Sequence, residues 1–215
     1  MKPDVQTVIL HDGGLASGLL VSMATKMYDP HQIAIVTYTP TRDRKFKAVV
    51  ELARYYDIHN IVQRNVVRPL DRPATKLMML VETSDTMRKR YPDARALVMG
   101  EHIKTSLKPN YTRMELWHNV INDLHNGFIH LHTPFIGLRE SEIIEKTVDY
   151  SLPLELVRDC VANTEKFCGE CHPCRVRINA FREVGFMDWE YEHEIDFNLS
   201  PADQEDYSKY LAGEH

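Results

Sequence analysis

Residues 10–18 read LHDGGLASG, and the fold turns on how they are read. The preceding VQTVI is an apolar run with β-branched residues, suited to a buried strand. The following LLVSMATKM reads as helix. A glycine-rich turn between strand and helix is where backbone N–H groups hold a phosphate at a helix N-terminus. The polar residues of this loop fit that task poorly, since Asp12 brings a negative charge of its own.

Working outward, strand and helix patterns alternate. Strands are expected at 5–10, 32–38, 60–66, 95–100 and 129–135, and helices near 15–27, 44–57, 73–90, 112–125 and 140–150. In RKFKAVVELARYY the apolar residues Phe46, Val49, Val50 and Ala53 recur at helical spacing. Such alternation predicts an α/β fold with an open, mostly parallel, doubly wound sheet and right-handed crossovers. Residues 1–153 are assigned to this domain, and 154–215 to a small cysteine-rich zinc module and C-terminal extension packed on it. Ligands of such sheets bind beyond the strands' C-terminal ends, which places His11–Ser17, Tyr38–Arg44 and Gly100–Lys108 on one rim.

The 215 residues carry a net charge of −5, which disfavours a sequence-independent grip on nucleic acid, so no direct nucleic-acid binding is expected. Neither a signal-peptide pattern nor an apolar run of membrane length is present, so the expected location is cytoplasmic, or the host cytoplasm if the chain is virus-encoded, with no membrane association.

All four cysteines fall between 160 and 174, as Cys160-x7-Cys168-x2-Cys171-x2-Cys174. In a reducing compartment this spacing suits a tetrahedral zinc ion better than disulfides. Gly169 and Pro173 are read as supplying tight turns, and His172 as a bystander to a shell that four thiolates close. A closed shell makes the metal structural.

The strand with its glycine loop, the "YT" strand end at 38–39, "TPF…ESEI" at 133–143 and "LVRDC…CGECHPCRVR" at 156–177 together resemble the 7-cyano-7-deazaguanine synthase family. The resemblance implies a PP-loop ATP pyrophosphatase fold, related to the adenine nucleotide alpha hydrolases. It also implies an activity. ATP adenylates the carboxylate of 7-carboxy-7-deazaguanine, ammonia displaces AMP, and a second round dehydrates the amide to the nitrile. Family members are often homodimers, so a homodimer is expected.

The loop departs from that pattern. The family's Ser-Gly-Gly-x-Asp-Ser stands here as Asp12-Gly13-Gly14-Leu15-Ala16-Ser17. Glu140 stands where the family has a lysine, Pro40-Thr41 where it has Gly-Gln, and Ala74-Thr75-Lys76 at its Gly-Arg-Asn helix start. A carboxylate about 4 Å from one phosphate charge costs roughly 4 kcal/mol at an effective dielectric near 20. ATP and magnesium are therefore not expected as cofactors, although Asp12 also suits a helix N-cap.

The expected ligand is a small deazapurine. Asp12, Glu101, His102 and Glu140 are the candidate catalytic groups, with His11 as an alternative acid. Gly13, Gly14, Ser17, Tyr111, Arg113, Arg158 and Arg175 are candidate substrate-binding residues, beside Lys104 and Glu115. The expected reaction is ATP-independent decarboxylation of 7-carboxy-7-deazaguanine to 7-deazaguanine for nucleic-acid modification. The alternatives are an ATP-dependent 7-cyano- or 7-amido-7-deazaguanine synthase and an inactive base-binding or partner-binding paralogue.

Overall fold

The computed structural model describes residues 4–40, 42–64, 73–103, 111–188, 191–193 and 195. Five strands form one parallel sheet in the order β3-β2-β1-β4-β5: β1 (Thr7–Leu10), β2 (Ile33–Thr37), β3 (Asn60–Gln63), β4 (Ala96–Met99) and β5 (His130–His132). The helices are α1 (Leu15–Ala24), α2 (Arg44–Tyr55), α3 (Pro73–Arg90), α4 (Tyr111–Leu124), α5 (Glu140–Asp149) and α6 (His172–Val184). The expected α/β class is the observed one.

Alternation along β1 builds the two faces. Ile9 points into a core with Leu15 and Leu19 of α1, Val49 and Leu52 of α2, and Ile143 and Ile144 of α5. Val8 and Leu10 point into the opposite core, with Leu80 and Met87 of α3 and Trp117 and Ile121 of α4. Helix α1 is buried on nearly every side, because α5 covers the face turned away from the sheet. That is why its sequence shows no amphipathic stripe.

Helix α6 corrects one expectation. Pro173 does not make a turn but lies in the first turn of this helix, where its missing N–H costs nothing. Ala180 and Phe181 of α6 join the α1–α5 core. Among the described residues, no helix is long and apolar enough to cross a membrane.

The chain winds from β1 outward to β3 and then returns to lay β4 on the other side of β1. The β1/β4 boundary is thus the point where strand order reverses, and a crevice opens there beyond the strand ends. Gly100, just after β4, keeps the crevice narrow. A Cβ there would stand 3.0 Å from the Ala16 carbonyl carbon and 3.1 Å from the Ser17 nitrogen, so a side chain would push β4 away from α1.

Candidate active site and metal centre

The crevice is a cleft walled by Leu10, Tyr38, Met79 and Met99, with polar groups from the loop after β1, from Lys76 of α3, from Glu101 and His102 after β4, and from Asp159. The three stretches expected on one rim each contribute to it. Lys104 lies outside the described residues.

In the loop, Gly13 takes φ +91°, a backbone conformation glycine adopts without strain. The N–H groups that would face an anion are already used. Gly13 N donates to His11 Nδ1 at 3.1 Å, Gly14 N to Asp12 Oδ1 at 3.0 Å, and Leu15 N to Asp159 Oδ1 at 3.1 Å. Ser17 Oγ donates to Asp12 Oδ1 at 2.6 Å and lies 2.6 Å from His11 Nδ1. Asp12 does not occupy the cap position, which falls at Gly14; it acts from two residues earlier by accepting the Gly14 N–H.

Asp159 was not among the sequence candidates, and 144 positions separate it from its partner Leu15. Its other oxygen accepts from Arg177 Nη1 at 3.0 Å, and Arg177 also binds Asp188 through Nε at 2.7 Å and Nη2 at 3.0 Å. A Cβ on Gly14 would stand 2.4 Å from Asp159 Oδ1. Glycine at 14 therefore makes room for one of the chain's own carboxylates.

Beyond the loop, His102 is buried with Glu140. Its Nδ1 lies 3.0 Å from the Gly100 carbonyl oxygen, and its Nε2 meets Glu140 Oε2 in a short hydrogen bond. A carbonyl only accepts, so Nδ1 carries a proton. Nε2 facing a carboxyl oxygen then requires a second proton between them, whichever partner holds it. Glu101 is engaged by Lys76 Nζ at 2.6 Å.

His11 is 1% exposed, and burial pushes its pKa down to about 4 against the opposing pull of Asp12. It is neutral near pH 7 and holds no extra proton to give as an acid.

Several candidates stand elsewhere. Arg158 turns towards the cysteine segment, where its guanidinium donates to the carbonyls of Ala162, Thr164, Glu165 and Lys166 at 2.7–3.3 Å. These carbonyls occupy the fork that a substrate carboxylate would need. Tyr111, 58% exposed, and Arg113 lie on α4, Arg175 is exposed on α6, and none of the three is among the cleft-lining residues.

Cys160, Cys168, Cys171 and Cys174 converge with all four Sγ atoms within 4.8 Å of one another. Sγ pairs stand at 3.6, 4.0 and 4.0 Å. A tetrahedron with Zn–S bonds of about 2.3 Å has edges of about 3.8 Å, so the set fits a zinc-like ion. Cys171 N donates to Cys168 Sγ at 3.4 Å, which orients that ligand from outside the shell. Phe167, Ile178 and Tyr191 pack around the cluster.

A glycine loop at the switch point of a parallel sheet, beside four converging cysteines, defines an α/β protein of the PP-loop type with a cysteine cluster able to hold a metal ion. The chain belongs to the family described as "Queuosine biosynthesis protein QueC", which matches residues 73–185. That match covers α3 to α6 and all four cysteines, and it begins beyond the 10–18 loop. Among curated proteins, the chain is similar to 7-cyano-7-deazaguanine synthase of Methanosphaerula palustris, 45% identical over 60 residues, which is 28% of this chain and 27% of that protein. It is similar to the Acidobacterium capsulatum protein of the same name at 39% over 62 residues, 29% of this chain and 27% of that one. The Campylobacter jejuni protein of that name matches at 35% over 63 residues, 29% and 28%. The chain thus matches little more than a quarter of the length of these relatives.

Proposed function

We propose that this chain is an enzyme acting on 7-carboxy-7-deazaguanine in the β1/β4 cleft, and that it removes the carboxylate as carbon dioxide without ATP. The comparisons taken alone favour a different conversion, the ATP-dependent synthase reaction, because the relatives carry that name. The family match itself begins at residue 73, beyond the loop.

The observation that carries the nucleotide-free reading is the occupied loop. Asp12 and Asp159 accept the N–H groups of Gly14 and Leu15, which a pyrophosphate would need. A phosphate seated there would face the Asp12 carboxylate, costing roughly 4 kcal/mol at about 4 Å and an effective dielectric near 20, and the Asp159 carboxylate, whose charge is partly offset by Arg177. Ala16 offers no metal ligand to offset them.

The chemistry left to such a cleft is proton delivery. The ring carbon bearing the carboxylate takes a proton, its bond to the carboxyl carbon breaks, and the electron pair returns to the electron-rich ring as carbon dioxide leaves. The His102–Glu140 pair holds the proton this consumes and regains one from water. Apolar walls from Leu10, Met79 and Met99 favour losing a charged carboxylate as neutral gas. The metal centre, when filled, holds the 160–174 segment in place and supplies no reacting group.

Purified protein is incubated with 7-carboxy-7-deazaguanine, with and without ATP, magnesium and ammonia, and the products are read by mass spectrometry. Appearance of 7-deazaguanine in both arms is expected. Nitrile or amide formed only with ATP, together with AMP, would establish the synthase reading instead.

A further inference from the structure

His11 carries a buried polar atom that the loop does not use. It follows β1 directly, and its backbone N donates to Val36 O at 2.9 Å, so the ring is anchored to the sheet. Nδ1 takes the Gly13 N–H, with Ser17 Oγ sharing its proton between this nitrogen and Asp12. A backbone N–H can only donate, so Nδ1 carries no proton and the neutral ring bears its proton on Nε2. That Nε2 has no hydrogen-bond partner among the described residues, although the residue is 1% exposed and lines the cleft. A buried donor left without an acceptor is costly, and one retained beside a cleft calls for an acceptor from the ligand.

We propose that His11 Nε2–H is a specificity-determining group of the cleft, donating to an oxygen of the bound ligand's carboxylate. This rests on the reading that the ligand is a carboxylated base. The loop N–H groups at 13–15 are spent within the chain, so they cannot serve that oxygen. Lys76, on the same cleft, is already paired with Glu101 at 2.6 Å, which leaves that oxygen to a neutral donor. A neutral donor suits this place better than a second cation, because it grips the carboxylate without stabilising its charge against loss.

The test is calorimetric binding of 7-carboxy-7-deazaguanine and of 7-deazaguanine to three proteins: wild type, His11→Phe, which keeps a ring without nitrogens, and His11→Gln, whose amide can place a donor near the Nε2 position. Wild type and His11→Gln should prefer the carboxylated base by tenfold to a hundredfold, and His11→Phe should bind both bases alike. Equal binding of the two bases by wild type, or a preference surviving in His11→Phe, overturns the role of His11 while leaving the substrate reading in place. Failure of wild type to bind either base removes both. Nitrogen-15 spectra of wild type keep the test available if the Phe variant does not fold. The His11 Nε2 signal should lie in the protonated range and move on adding the carboxylated base but not 7-deazaguanine; a deprotonated or unresponsive Nε2 overturns the proposal.

Discussion

Asp159 Oδ1 stands 3.1 Å from the backbone nitrogen of Leu15, so the segment that carries the cysteines also closes the N-terminus of α1. The next residue along, Cys160, is one of the four thiolates. The cysteine cluster and the cleft are therefore joined through a single peptide.

A double-mutant cycle tests that contact. In Gly14→Ala the new Cβ would meet Asp159 Oδ1 at 2.4 Å, and the crowding should cost about 1–3 kcal/mol in denaturant unfolding. In an Asp159→Ala background the same change should cost less, with a coupling on the order of 0.5–3 kcal/mol. Additive effects would mean the two groups do not touch in solution.

Stripping the metal should loosen both ends of the joint. An ion present at a thousandfold over its dissociation constant adds about 4 kcal/mol to stability, and a chelator removes that. Hydrogen exchange at the Leu15 amide should speed up together with that of the 160–174 segment. Unchanged protection at Leu15 would show that the loop is held independently of the metal.

His11 sets an acid limit to stability. Its folded pKa of about 4 lies below the ordinary 6.5, so between those values the unfolded chain binds more protons. This contribution is full above pH 6.5 and falls away as pH drops towards 4, by on the order of 3 kcal/mol in total. Unfolding measured across that range should be flatter in His11→Phe than in wild type.

Glu140→Gln preserves a hydrogen-bonding partner for His102 but removes the transferable proton. Carbon dioxide release should fall by about 10²–10⁴ while the folded spectrum is kept. Glu101→Gln, which removes the carboxylate paired with Lys76, should strengthen binding of the carboxylated base and leave turnover little changed. If both variants behaved alike, the His102–Glu140 couple would have no special part.

Much of the fold was legible because local period and global topology agree here. The alternation around Ile9 and the spacing in α2 point to the same layers that the chain builds. Cys160 to Cys174 could be read as a metal centre because the ligands are close in sequence. Helix α6 escaped because its start lies inside the cysteine pattern, where a proline reads as a turn. Asp159 and the spending of Arg158 on neighbouring carbonyls escaped for another reason. Both depend on how the 157–168 segment folds back, and no periodicity encodes that.

The most direct test of the occupied loop is calorimetric titration of magnesium-ATP into the metal-loaded protein. No binding at millimolar nucleotide is expected, with the carboxylated base binding in a parallel run. A micromolar dissociation constant for magnesium-ATP, lost on mutating the 12–17 loop, would contradict the account and return the chain to ATP-driven synthesis.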